Sequence, residues 1–283
     1  MFYKNPFDID LLNKVVIITG AGGIMCSHFA KVVAQTGAKV VLLDINIEQA
    51  LQYADEITKE GYYAKAYYVN VLGKKCLEEV RKTINTEIGT CDILINGAGG
   101  NNPKGNTEDE QYGADTAKDI KTFYDLDLDG FKFVFDLNFI GTLLPIQIFS
   151  ADMLGKKECS IVNISSMNAI KPLTKLPAYS AAKSAISNLT EWLAVYFAKE
   201  GIRVNALAPG FFITNQNKPN LLNRNGTYTR RAEKILSQTP MNRFGNMEEL
   251  SGILLFLLCH EASSFVTGTI IPIDGGFNAF SGV

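Results

Sequence analysis

The chain has 283 residues, 47% of them hydrophobic and 20% charged, with a formal net charge of −2. That is enough apolar material for a large core, and the scattered Lys and Arg form no basic stripe that could follow a phosphate backbone, so nucleic acid is excluded as an expected partner. The longest apolar run, Ile253 to Cys259, falls far below the ~20 residues of a membrane span.

The amino-terminal MFYKNPFDIDLLNK carries acids and lacks an apolar signal core, so a cytoplasmic protein is expected. Five cysteines, at 26, 76, 91, 159 and 259, show neither disulfide-framework nor metal-ligand spacing. With only His28 and His260 beside them, no metal centre is expected. No linker, charge block or repeat interrupts the chain, and strand-like runs alternate with helical patterns from Val15 almost to the end. One α/β domain over residues 1–283 follows, a Rossmann-type doubly wound parallel sheet of about seven strands.

KVVIIT, Lys14 to Thr19, reads as a buried strand; GAGG and the helical MCSHFAKVVAQTG follow at once. Glycine tolerates positive φ and has no side chain to block an approach. Gly20, Gly22, Gly23 and Ile24 therefore form a turn whose N–H groups, with the helix start, can face a pyrophosphate. The second strand, KVVLLD, ends in Asp44, where a dinucleotide-binding unit needs an acid for the ribose hydroxyls. That carboxylate would repel a 2′-phosphate, and no arginine follows in INIEQA, so NAD is expected rather than NADP. A third strand, AKAYYV, leads to Asn70 and Val71, with the Asn70 amide able to accept from an adenine amino group. The fourth lies in DILINGAGG, Asp92 to Gly100.

FKFVFDLNFIGTLLPIQIFSADML reads as a long apolar helix with Asn138 inside it, and a buried amide there must find partners. SIVNISS is the next buried strand and places Ser165 and Ser166 at the carboxyl edge of the sheet, where open α/β proteins bind ligands. Tyr179 and Lys183 stand four residues apart in a helical pattern and leave the same face. GIRVNALAPGFFIT gives a sixth strand and a Pro209-Gly210 turn, and the polar segment from Asn215 to Thr239 is expected to cover the substrate.

Thr19-Gly20, Asn138, Ser166, Tyr179 and Lys183, in this order and spacing, resemble the short-chain dehydrogenase/reductase family, over essentially the whole chain from about Lys14 to Val283. The family's glycine loop is TGxxxGxG, whereas this chain reads TGAGGIMC, with Ile24 and Cys26 in place of the second and third glycines. The resemblance implies an NAD-dependent oxidoreductase with catalytic Asn138, Ser166, Tyr179 and Lys183. Ser166 would bind the substrate oxygen, and Asn138 would kink its helix and hold a water. Lys183, with the positive nicotinamide ring, would lower the Tyr179 phenol from about 10 so that it can exchange a proton. It further implies Asn96, Ala98 and Gly99 beneath the cofactor, and Ile213 and Thr214 at the carboxamide. Residues 14–100 would then be mainly the dinucleotide-binding half and 131–283 the catalytic and substrate half, with a lid at about 211–240. The ending SSFVTGTIIPIDGGF resembles the family's last strand, and a homotetramer is the family's habit.

GAGGNNPKGN, KTFYDLDLDGFKFVFDLNFIGTLLP and SSMNAIKPLTKLPAYSAAK narrow the resemblance to the short-chain type of D-mannonate oxidoreductase, also called fructuronate reductase. Relatives acting on gluconate at carbon 5 or on 2-dehydro-3-deoxygluconate share this framework, and an NAD-binding sensor without turnover is a third reading. A sugar acid needs a cation for its carboxylate and amides for its hydroxyls. Lys175 is the first choice for the carboxylate, with Lys104, Lys171, Arg224, Arg230 and Arg231 further candidates; Asn101, Asn102 and Asn168 are expected at the hydroxyls. The long insertion from Asn101 to Gly130 either shapes the pocket or is a surface excursion.

Overall fold

The apolar, β-branched runs form seven strands in a computed structural model that describes residues 8–213 and 218–282. They are β1 (Val15–Thr19), β2 (Lys39–Asp44), β3 (Ala64–Tyr68), β4 (Ile93–Asn96), β5 (Ser160–Ile164), β6 (Arg203–Pro209) and β7 (Ile270–Ile273). All pairs are parallel and the order is β3-β2-β1-β4-β5-β6-β7, the doubly wound sheet expected from the sequence. The chain reverses direction across the sheet between β1 and β4, which opens a crevice at the carboxyl ends of those strands.

Between the strands run α1 (Ile24–Ala34), α2 (Ile47–Lys59), α3 (Lys74–Glu87), α4 (Leu128–Phe135), α5 (Gly141–Phe149) and α6 (Pro177–Tyr196). After β6 come α7 (Lys218–Leu221), α8 (Arg230–Ser237), α9 (Ser251–Leu258) and α10 (His260–Ser263). Alternation along each strand divides the core into two layers. Val16, Ile18, Leu42 and Ile95 pack with Phe29, Val33, Ala50 and Leu254 on one face. Ile17, Leu43, Leu94 and Ile161 pack with Leu77, Ile84, Phe149 and Leu193 on the other. Each such fully buried side chain contributes about 1.5–3 kcal/mol, so helices cover both faces of the inner strands.

The apolar stretch around Asn138 is not one regular helix: a π-helical turn, Asp136–Ile140, separates α4 from α5, and Pro145 lies inside α5. Leu128–Asp152 is long and apolar enough to cross a membrane by those two measures, yet half of it is buried in the fold, where Ile146 and Phe149 meet the sheet. The insertion holds two 3-10 turns, Pro103–Gly105 and Phe123–Asp125, the second fixed by a Thr122–Asp125 capping box. A separate apolar cluster of Leu221, Ala232, Ile235, Leu236 and Phe244 holds α7 and α8 together above the sheet edge.

Candidate active site

The turn after β1 is shaped for close approach. Gly20 has a φ of +69°, and a Cβ there would stand 2.7 Å from the Ala98 backbone. Gly23 caps α1 with its backbone alone, which leaves first-turn N–H groups without a side-chain acceptor. Asp44, half-buried at the end of β2, accepts from Gly22 N at 2.8 Å and Asn46 N at 2.7 Å, so the carboxylate is fixed against the glycine turn. A Cβ on Gly22 would lie 2.9 Å from its Cγ. The donor-rich helix start, the side-chain-free cradle and the adjacent acid fit a dinucleotide with a free ribose 2′-hydroxyl.

Beyond Asp44, the Asn70 carbonyl and amide oxygens cap the next turn, accepting from Gly73 N and Leu72 N, and buried Val71 packs under Gly141. Thr19 Oγ1 accepts the N–H groups of Gly97 at 3.2 Å and Ala98 at 3.3 Å, tying β1 to the turn after β4. Asn96 is turned down into the sheet: its amide donates to Asn163 Oδ1 at 2.9 Å, and Asn163 donates to Thr190 Oγ1 at 2.9 Å. It braces the sheet centre, whereas Ala98 and Gly99 form the floor of the crevice. The cysteine at the third loop position is accommodated from this floor, because a Cβ on Gly97 would overlap the Cys26 sulfur. Burial pushes that thiol up to about 12, so it packs as a neutral side chain.

Asn138 sits in the π-helical turn with none of its surface exposed. Its amide donates to Gly100 O and Val134 O, both at 2.7 Å, and accepts from Gly100 N at 3.3 Å. The buried amide therefore finds partners and locks the β4 turn to the distorted helix. A Cβ on Gly99 would meet Asn138 Oδ1 at 2.6 Å and Lys183 Nζ at 3.4 Å, so Gly99, Asn138 and Lys183 adjoin. Ser165 turns into α6, bonding Lys183 O and Ser187 Oγ, whereas Ser166 is near enough to Tyr179 to influence its phenol. Ser166 is thus the serine of the crevice.

Lys183 is 4% exposed and donates to Ile164 O at 2.7 Å, with Nζ 5.6 Å from the centre of the Tyr179 ring. Burial lowers this ammonium to about 8. Burial raises the Tyr179 phenol above its ordinary 10.0, and the nearby Ser166 opposes that rise. The expected lowering by Lys183 is therefore not produced by the protein's own field. Desolvation is the first cause of the rise, and the Lys183 ammonium is not among the causes.

A cleft of about 750 Å³ lies between the 171–176 loop that leads into α6, Phe211, Phe277 and α8; none of Asn138, Ser166, Tyr179 and Lys183 lines it. Lys171, Lys175, Arg230, Arg231 and Lys234 line it, with Glu110 as the acid among them. The insertion thus reaches the cleft. Lys175 stands in a left-handed turn, φ +70°, immediately before α6. Asn168 is 4% exposed beside Ser166, and its side-chain amide has no partner among the described residues. Asn101 is exposed and its amide nitrogen donates to Asn106, and the Asn102 side-chain carbonyl caps the Pro103–Gly105 turn, so local turn chemistry engages one group of each amide. Lys104 and Arg224 do not line the cleft, and Lys104 faces Asp127 at 3.9 Å. Pro209 and Gly210 lie at the sheet edge, with Gly210 N bonded to Ile273 O, and Ile213 packs on the α7–α8 cluster; Thr214 lies outside the described residues.

The family model described as enoyl-(acyl carrier protein) reductase matches residues 21–278. An uncharacterized oxidoreductase of Haemophilus influenzae is 57% identical over 97% of this chain and 96% of its own length. One from Bacillus subtilis is 46% identical over 98% and 99%. A Haemophilus influenzae protein crystallised with bound NAD, and provisionally named a D-mannonate oxidoreductase, superposes with a TM-score of 0.95 at 56% identity, covering 98% of this chain and 99% of that one. Fold, loop and side-chain constellation agree with these matches: the chain belongs to the short-chain dehydrogenase/reductase family of oxidoreductases.

Proposed function

We propose that the chain is an NAD(H)-dependent oxidoreductase that interconverts D-fructuronate and D-mannonate. The observation that carries this reading is the cation-lined cleft at the 171–176 loop, which leads into the helix that bears Tyr179, since a sugar acid brings one carboxylate and a row of hydroxyls. The provisional naming of the NAD-bound relative supports it, and Asp44 against Gly22 supports NAD over NADP.

NAD(H), when bound, supplies or accepts the hydride, and its oxidised ring brings the positive charge that favours the phenolate. The residues named here do the rest. Ser166 donates to the substrate oxygen and Tyr179 gives its proton to, or takes it from, that same oxygen. Lys183, held by Ile164 O, keeps a cation one helical turn away, and Asn138 fixes the floor on which both stand. Asn168 offers its free amide to a hydroxyl and Lys175 its ammonium to the carboxylate. Residues 14–100 serve the cofactor, 131–283 the chemistry and substrate, and about 211–240 the lid. An apolar face on α6, with Trp192 stacked on Tyr196 beside Val195, favours a homotetramer, which a sedimentation mass checks.

The deciding experiment follows NADH loss with purified protein offered D-fructuronate or 5-dehydro-D-gluconate, each repeated with NADPH. Faster loss with D-fructuronate and NADH is expected. Preference for 5-dehydro-D-gluconate would move the substrate and keep the chemistry, and no turnover with NADH still bound would favour a sensor.

A further inference from the structure

Glu110 is an acid in a place that otherwise collects cations. It comes from the insertion, whereas Lys175 comes from the loop before α6 and Arg230 and Lys234 from α8, and all four line one cleft. Its carboxylate pairs with Lys234. Lys175, Arg230 and Arg231 make no ion pair among the described residues. Lys234 holds the Glu110 carboxyl below the ordinary carboxylate range, and Lys175 and Arg230 add to the effect from further off. Both partners of the pair are exposed, at 62% for Lys234 and 41% for Glu110. Exposed pairs of this kind are weak, so an incoming carboxylate can take the place of the acid.

We propose that Glu110 is an internal counter-anion of the substrate cleft, a specificity-determining residue whose carboxylate a substrate carboxylate displaces from the Lys234, Lys175 and Arg230 cluster. The proposal rests on the reading of the cleft as a sugar-acid site. A substrate acid must compete with Glu110 for the same cations, so the residue raises the KM for acids. It also gives the insertion a purpose: to carry one negative charge into a basic cleft that would otherwise hold any small anion.

Two variants that break the same ion pair separate this role from a structural one. Glu110→Gln should lower the KM for the sugar acid roughly two- to fivefold, with the gain in KM rather than kcat, and Lys234→Gln should raise it. A latch that merely holds insertion to lid would make both variants move KM in the same direction, and that result would overturn the proposal. A second arm needs no substrate. Sodium sulfate, against sodium chloride of matched ionic strength, is titrated into the NADH-bound protein and read as a thermal shift. Glu110→Gln should reach half the shift at a lower sulfate concentration than the parent. Equal concentrations would refute the counter-anion role even if D-fructuronate proves not to be the substrate, whereas a lower concentration without turnover would keep the role and reject the sugar-acid reading.

Discussion

Gly97→Ala tests how the altered glycine loop is accommodated. The added Cβ would overlap the Cys26 sulfur, yet would stand 3.7 Å from the Cys26 Cβ, which is ordinary contact distance. The obstruction is therefore one atom. Thr19 O, at 3.2 Å, is a tighter neighbour than average but can yield slightly. Cys26 is fully enclosed in the core beside β1, so the sulfur has little room to turn away. Overpacking of this kind costs about 1–3 kcal/mol, and at about 2–4 °C per kcal/mol the melting temperature should fall by roughly 4–8 °C for a cost near the middle of that range. Cys26→Ala alone should cost about 1 kcal/mol for the void it leaves. In the double variant the new methyl occupies the space of the lost sulfur, so the two losses should not add, with a coupling of about 1–2 kcal/mol. Thermal unfolding of the four proteins measures this directly, and NADH titration reports whether the crevice floor is restored. Additive losses, or a neutral Gly97→Ala, would refute the packing argument.

Tyr179→Phe should lower kcat by about 10²–10⁴-fold while NADH binding stays near the parent value, and unchanged turnover would reject the phenol as the proton carrier. Asp44→Ala removes a charged acceptor worth about 1.5–3 kcal/mol, so the NAD Kd should rise roughly 10- to 100-fold and the NAD-to-NADP ratio of kcat/KM should fall; a constant ratio would contradict the role assigned to it. Lys183 has a folded-state value of about 8 against an ordinary 10.5. Below pH 8 the folded chain bears the full cost of a buried charge, and the cost fades as pH rises from 8 to 10.5, because the folded state releases the proton first. Lys183→Met should therefore raise thermal stability at about pH 7, by up to about 3 kcal/mol less the lost Ile164 bond, and the gain should shrink by about pH 10 while turnover is lost at both. A gain independent of pH would show that the charge is not the cause.

The parallel sheet, the glycine turn, Asp44 and the candidate tetrad of Asn138, Ser166, Tyr179 and Lys183 were legible because local pattern carries them. Buried parallel strands are written as continuous apolar runs, a dinucleotide turn as glycines after the first strand, and a helical pair as two residues four apart. The choice of Ser166 over Ser165 rested on its thirteen-residue spacing to Tyr179, and the structure turns Ser165 into α6. Local contacts of the insertion were not legible: Asn101 and Asn102 each commit one group of the side-chain amide to its turns.

Sequence by itself determined the doubly wound fold and singled out Asn138, Ser166, Tyr179, Lys183 and Asp44 as candidates, because these depend on neighbours within a turn or a strand. Tertiary structure alone decided which charges line the cleft. Lys175, Arg230, Lys234 and Glu110 come from three separate segments, and only packing brings them to one cleft. It alone also decided the burial that lowers Lys183 and raises Tyr179, and the pairing of Cys26 with Gly97. Desolvation and steric exclusion depend on what surrounds a group in space, and residues distant in the chain supply those surroundings.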